Sequence, residues 1–399
     1  MSDHRQRPRL PVPPVSPEQA DWLARVEKLA PLIERHRDEA EHTRQMPRPV
    51  FEALRDEGFT RMWVSRAFGG QQVALDTGMA VLEALARLDA SVSWQIGVQG
   101  AIGRLSDYLP EESSRRLFLD SDGFVVGGVK PSGLAEPVDG GYLLRGEWAM
   151  ASGSAHAEWL VCTALISEDW KPVMTPAGPD IVMLFVPASA VHHRDTWYTV
   201  GLRGTGSNHF RVDERFVPAE LAVRKELMAK APPARGSRGY PIGYFDFGPF
   251  STAPVALGIA RDALDTFRET AQVKTPASGT QTLAANHVVQ ERFARAEIAV
   301  YATRLLLHDA ARQVVAAAGE GGDELSALIR LSSASLAEHT TAAVEATYTL
   351  AGTASLYATN RLERCFRDVH SVTKHIALSY THFETVGDYL MNDALVMRR

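Results

Sequence analysis

Apolar positions recur at helical spacing from the start of the chain. Trp22, Val26, Leu29 and Ile33 follow one another at intervals of four, three and four residues, an apolar stripe on one helix face. Ser16-Pro17-Glu18-Gln19 opens that helix with a serine N-cap, a proline at the first helical position and a glutamine three residues after the cap. A second helix is predicted from near Pro49 to Gly58, then an extended run Phe59–Ser65 and a loop at Phe68-Gly69-Gly70. Thr77–Leu88, Ser93–Leu109 (stopped by Pro110) and Glu111–Leu119 continue the helical pattern. The period then shortens. Phe124–Val129, Tyr142–Arg145, Leu160–Ile166, Ile181–Val186, Val191–Thr199 and His209–Val217 are short and β-prone, with turn residues such as Gly140-Gly141 between them. Such spacing predicts a small antiparallel barrel or sandwich. Helical periodicity returns in Thr252–Val273, His287–Ala318, Glu324–Leu350, Leu362–Leu378 and Phe383–Met391, with a break at Gly319-Glu320-Gly321-Gly322, and predicts an antiparallel bundle.

The expected class is therefore α+β and multidomain. A disordered arm (residues 1–15) precedes an N-terminal helical domain (16–122), a middle β domain (123–220), a linker (221–246) and a C-terminal four-helix bundle (247–399). Lys230–Gly243, within the linker, is rich in Pro, Gly and Arg. A β domain set between two helical ones leaves a cleft at their junction, a natural place for a cofactor.

Composition removes several classes. The net charge of -6 argues against nucleic acid as the main partner. No apolar run reaches the roughly 20 residues of a membrane span, and the start lacks the apolar core of a secretory signal. Two cysteines in 399 residues, Cys162 and Cys365, point to a reducing cytoplasm without disulfides. The 13 histidines show no metal-ligand spacing, so no metal is expected.

The richest stretch is Gly146–Trp159, with two tryptophans, two serines, a histidine and two glycines. Read alone, it is a tight turn between strands with tryptophan anchors. Small hydroxyls beside a glycine also let backbone approach a flat ligand. Tyr240, Tyr244, Phe245, Phe247 and Phe250 suggest an aromatic pocket mouth, although such runs are more often core.

Three motifs carry a resemblance. The first is Trp148, Ser152-Gly153-Ser154 and His156-Ala157-x-Trp159. The second is Gly201-Leu202-Arg203-Gly204-Thr205-Gly206-Ser207-Asn208 with Phe216-Val217-Pro218. The third is Ala351-Gly352 with Arg364-x-Phe366-Arg367-Asp368-Val369-His370 and His375. Together they resemble the acyl-CoA dehydrogenase fold over nearly the whole chain. Dehydrogenases of that fold need a carboxylate base. At its two usual positions this chain has no Tyr-Glu-Gly after Arg367-Asp368, and Gly248 in the opening bundle helix; Glu384 is a poor match.

These departures resemble the two-component flavin-dependent monooxygenases. In them a separate reductase supplies reduced flavin, and the oxygenase forms a C4a-hydroperoxide with O2. The resemblance implies Ser152 near flavin N5 and His375 at the oxygen-reacting face. Gln99 stands where aromatic hydroxylases of this branch often carry histidine, so it can hydrogen-bond a substrate but not act as a base. Cofactor contacts fall on Trp148, Ala151, Ser152, Gly153, Ser154, Arg203, Thr205, Gly352 and Arg367. Lys274–Thr280 replaces the family's Arg-x-Phe-Gly pyrophosphate segment, which favours reduced FMN over FAD. A homotetramer, a transient flavin reductase and a small aromatic or heteroatom-containing substrate are likewise implied. His156 reads as a brace, and His370, five residues before His375 in one helix, as structural. The alternatives are a dehydrogenase-like enzyme with bound FAD and a non-standard base, and a non-catalytic flavin- or acyl-binding scaffold.

Overall fold

The computed structural model describes residues 10–11, 13–176, 178–232, 240–277, 279–393 and 395. Most of the expected N-terminal arm, and residues 233–239 of the linker, lie outside them. The first helices are α1 (Pro17–Thr43), α2 (Arg48–Asp56), α3 (Leu75–Leu88), α4 (Ala90–Gly103) and α5 (Glu111–Ser114). The N-cap of α1 forms as its sequence dictates: the Ser16 hydroxyl accepts the Gln19 N–H at 3.1 Å. Asp89 does the same for α4, accepting the Ser91 and Val92 N–H groups. Phe59–Ser65 is not extended. Phe59–Arg61 is a 3-10 turn, and Met62, Trp63 and Val64 are buried. Their apolar character reflects that burial and not strand pairing; Gln71, Gln72 and Val73 donate back to the carbonyls of Arg61, Val64 and Met62. The helix expected to reach Leu109 ends at Gly103, and a 3-10 turn, Arg104–Asp107, follows.

The middle domain holds β1 (Phe124–Val138), β2 (Gly141–Ala151), β3 (Ala157–Glu168), the short β4 (Lys171–Pro172), β5 (Met174–Thr175) and β6 (Gly178–Pro179), β7 (Ile181–Pro187), β8 (His192–Arg194), β9 (Asn208–Pro218) and β10 (Ala222–Arg224). The main sheet runs β10-β7-β3-β1-β2-β9-β8, with β4 added to β3. It is mixed rather than wholly antiparallel, because β1 and β3 pair in parallel from Phe124↔Ala157 to Ala135↔Ile166. The connection that makes this possible is β2 plus the turn after it, which carries the chain back across the sheet before β3 begins. The strand expected over Val191–Thr199 is only His192–Arg194. Trp148 is 0% exposed, stacked on Phe210 at 5.3 Å, and donates its indole N–H to the Thr163 carbonyl at 2.7 Å.

After α6 (Lys225–Met228) come α7 (Tyr244–Val273), α8 (His287–Ala317), α9 (Gly322–Ala351), α10 (Arg361–Val372) and α11 (Thr381–Asn392). Helices α7, α8 and α9 pack against one another, and α7 also packs on α3 and α4. The α4–α7 crossing is close: a Cβ on Gly97 would lie 2.2 Å from the Ser251 carbonyl oxygen. The architecture is thus an N-terminal helical part, a mixed sheet and a C-terminal helical part. No described helix is long and apolar enough to cross a membrane.

Candidate active site

Four segments far apart in sequence meet at Ser152. The turn after β2 supplies Ser152, α4 supplies Trp94, the turn before β9 supplies Thr205 and Ser207, and the segment after α10 supplies His375. The Trp94 indole N–H donates to Ser152 Oγ at 3.1 Å. Ser152 Oγ lies 2.6 Å from Ser207 Oγ, which lies 2.6 Å from Thr205 Oγ1. The Thr205 hydroxyl donates to the Leu202 carbonyl at 2.8 Å. On the other side, the Trp94 ring meets His375 edge-on, centroids 5.3 Å apart. One indole therefore joins the two residues on which the chemistry was expected to rest.

The local backbone is shaped for close approach. Gly153 has φ +81, and a Cβ there would sit 3.0 Å from Phe124 and 3.2 Å from Gln95 Oε1. Its N–H is tied to the Thr205 carbonyl at 2.9 Å, which joins the two turns. Met150, just before Ala151, holds φ +63, a conformation costly for a non-glycine residue, at a register shift between β2 and β9. The strand bulges there and Met150 is 60% exposed. Ile376, beside His375, is 56% exposed. Two exposed apolar side chains thus flank the cluster in sequence, Met150 before Ser152 and Ile376 after His375. Gln95 Oε1 is buried without a hydrogen bond among the described residues. The set can hold a flat, hydrogen-bonding ring.

His375 does not lie within a helix, as its sequence suggested. Helix α10 stops at Val372, and His375 caps the 3-10 turn Ile376–Leu378, its Nδ1 accepting the Ala377 N–H at 3.3 Å. That bond fixes the hydrogen of the neutral ring on Nε2. Packing strips water from the half-buried ring and pushes its pKa down to about 4. Near neutral pH, His375 is an uncharged N–H donor. Gly248 of α7 faces this segment, where a Cβ would be 3.5 Å from that of Ala377. No carboxylate can project from that position, and Glu384 is exposed on α11.

Other expected residues fall elsewhere. Trp148, expected on the wall, is inside the sheet and exposes no atom, so its part in the site is to support β2. Gln99 is buried and its Oε1 accepts the Val125 N–H at 2.7 Å, pinning α4 to β1. Ala151 and Ser154 are buried on either side of Ser152. Arg367 was expected at the cofactor, but its guanidinium is taken up by Glu363, Glu41 and the Val200 carbonyl. It clamps the turn that carries Thr205. Arg203 points towards Glu41 at 3.8 Å. Gly352 lies beside Lys274, whose ammonium caps α9 at the Ala351 carbonyl. His156 donates its Nε2–H to the Met46 carbonyl at 2.8 Å and stacks on Phe51, the brace expected of it. His370 pairs with Glu345 at 3.2 Å.

Asp368, also buried, accepts the Leu202 N–H at 2.7 Å and so holds Leu202 at φ +51. Desolvation pushes its pKa up to about 6. Trp94, Ser207 and Asp368 were missed as site residues. The signal for the first lay in α4, where Ser93, Gln95 and Gln99 interrupt an otherwise apolar helix that is buried almost all round.

Comparison with known proteins agrees with the fold. Residues 16–117 match the family described as acyl-CoA dehydrogenase, N-terminal domain, and residues 250–380 the acyl-CoA dehydrogenase, C-terminal domain. The chain is 30% identical over 378 residues to the oxygenase component of the FADH(2)-dependent resorcinol hydroxylase of Rhizobium sp. (strain MTP-10005), covering 90% of each. XiaF from Streptomyces sp., solved with FADH2 and glycerol, superposes with a TM-score of 0.88 at 23% identity, covering 96% of this chain and 97% of that one. TdsC from Paenibacillus sp. A11-2, solved with FMN and indole, gives 0.79 at 19% identity over 94% and 98%. With the carboxylate base absent from both dehydrogenase positions and a hydroxylase relative aligned along nine-tenths of its length, the chain belongs to the flavin-dependent monooxygenase oxygenase components built on the acyl-CoA dehydrogenase fold.

Proposed function

We propose that this chain is the oxygenase component of a two-component monooxygenase. It takes reduced FMN, with FADH2 as the second choice, from a transient flavin reductase and uses O2 to oxygenate a small aromatic or heteroatom-containing compound. The observation that carries the reading is the Trp94 ring, which joins Ser152 to His375, in a segment that α7 faces with Gly248 and not with a carboxylate. The site suits a flavin ring by its chemistry. Ser152 offers a hydroxyl for a ring nitrogen, Gly153 admits close backbone, and Met150 and Ile376 give apolar contact. Bound reduced flavin supplies the electrons for oxygen activation.

This chain's residues supply the rest. Ser152 orients the ring edge. His375 presents an uncharged N–H, a hydrogen-bond donor to the reacting oxygen or to a substrate hydroxyl. The burial of Trp94, Ser152, Ser207 and Thr205 limits water at this wall, which protects reactive oxygen species from unproductive breakdown. A homotetramer and a cytoplasmic location complete the proposal. Exposed apolar side chains such as Val288 and Leu306 of α8 support association, and two buried free cysteines support a reducing compartment.

The test is turnover with a flavin reductase, NADH and a panel of phenols and heteroaromatics. Oxygenated product in proportion to NADH consumed is expected. His375→Ala and Ser152→Ala should each divert about nine-tenths of the NADH into hydrogen peroxide, a tenfold loss of coupling of the size expected for one lost hydrogen bond. Tightly bound FAD that is reduced by an acyl-CoA would defeat the reading.

A further inference from the structure

The hydroxyl chain around Ser152 has a direction that its hydrogen count dictates. The Leu202 carbonyl oxygen can only accept, so at 2.8 Å the Thr205 hydroxyl spends its one hydrogen there. The 2.6 Å contact between Thr205 and Ser207 must then be made with the Ser207 hydrogen. Ser207 has none left, so its 2.6 Å contact to Ser152 is made with the Ser152 hydrogen. The indole of Trp94 carries hydrogen only, and donates to Ser152 at 3.1 Å. Every link points the same way, from Trp94 through Ser152, Ser207 and Thr205 to Leu202.

The far end is anchored. Leu202 O also accepts the Trp197 indole N–H at 3.0 Å and the Thr205 N–H at 3.1 Å. Asp368 holds the Leu202 N–H at 2.7 Å and with it the left-handed backbone that aims this carbonyl at Thr205. Ser152, Ser207 and Thr205 are all buried, so water does not compete freely for these hydrogens.

Ser152 therefore faces a ligand with a lone pair and no free hydrogen. Oxidised and reduced flavin differ in what N5 requires: the oxidised ring has a lone pair there and needs a donor, whereas the reduced ring carries N5–H and needs an acceptor. We propose that Ser207 and Thr205 are positioning residues that lock Ser152 as an acceptor, so that the site takes reduced flavin and turns away the oxidised form. The inference rests on the flavin reading of the site and gives the hydroxyl chain a purpose within it. For a two-component enzyme the discrimination is useful, because spent flavin leaves and fresh reduced flavin enters the same place.

The test is anaerobic calorimetric titration of the full chain with oxidised FMN and with dithionite-reduced FMN, giving the ratio of the two dissociation constants. The wild type should bind the reduced form at least about tenfold more tightly, one hydrogen bond's worth. Ser207→Ala frees the Ser152 hydrogen to donate to an oxidised ring, and should tighten oxidised FMN by about tenfold with little effect on the reduced form. Thr205→Val reaches the same state by another route, since Ser207 can then turn and donate to Ser152. Thr205→Ser keeps the chain intact and should keep the wild-type ratio. Unchanged ratios in Ser207→Ala and Thr205→Val, with reduced FMN still bound, would overturn the relay and leave the flavin reading standing. Failure of the wild type to bind reduced FMN or FADH2 would sink both.

Discussion

His375 shows how one hydrogen bond and local packing choose a side chain's chemistry. With Nδ1 held by the Ala377 N–H and the ring stripped of water, it offers a neutral N–H on Nε2 over the usual working range. The same arrangement has a cost in acid. In the unfolded chain the ring titrates near its ordinary value of 6.5, and in the folded chain at about 4. Between these values the unfolded state binds more protons, so stability falls as pH drops through that window and is flat above it. Going from pH 7 to pH 5 should cost the wild type about 2 kcal/mol more than His375→Asn, read from urea unfolding midpoints at each pH. Equal losses would mean that the ring is not held neutral. The motif singled out His375, but its tautomer was not legible there, because that depends on a helix ending six residues earlier than its apolar pattern suggested. Trp148 is the opposite case. Its place in the motif was plain, yet alternation along β2 sends it to the sheet interior, and the exposed bulge falls on Met150.

At the scale of elements, the meeting of α4 and α7 decides where the site residues stand. Gly97 makes this crossing possible, since a Cβ there would be 2.2 Å from the Ser251 carbonyl and backbone would have to move. Gly97→Ala should destabilise the chain by about 2–4 kcal/mol and lower its affinity for reduced flavin, because Trp94 lies one turn away on the same helix. A thermal melt and the anaerobic titration check the two effects; an unchanged melting temperature would show that the helices separate freely. Helices were legible because their stripes are long and their caps explicit, as at Ser16 and Pro17. The parallel pairing of β1 with β3 was not legible. Alternation reports which face is buried but not which neighbour a strand chooses, and the parallel pairing arises because the chain runs back along one side of β1 as β2 and then returns on its other side as β3.

Across the whole molecule, charge joins what the sequence order separates. Arg364 of α10 meets Asp89 at the start of α4 at 3.0 Å, lies 3.7 Å from Asp368, and donates to the Arg37 carbonyl of α1 at 3.2 Å. These groups are buried, so removing one partner strands the others. Arg364→Met should cost about 3–5 kcal/mol, measured by urea unfolding, and loosen the Leu202 turn through Asp368. A loss under about 1 kcal/mol would place the cluster among solvent-screened pairs. Nothing in the sequence pairs Arg364 with Asp89, because they are 275 positions apart and only the folded topology brings them together.

The site's parts are also separated in time. Trp94 leaves the ribosome early and His375 last, with Ser152, Thr205 and Ser207 between them. At about 5–20 residues per second that interval is roughly 15–60 s. Throughout it the polar side chains of α4 have no Leu202 turn and no α10 segment to meet, so the first third of the chain must wait, part-folded, for its last. Assembly of the cluster is therefore all or nothing: a nascent chain that lacks the His375 segment has Trp94 and the Ser152 hydroxyls but not the imidazole that packs against that indole.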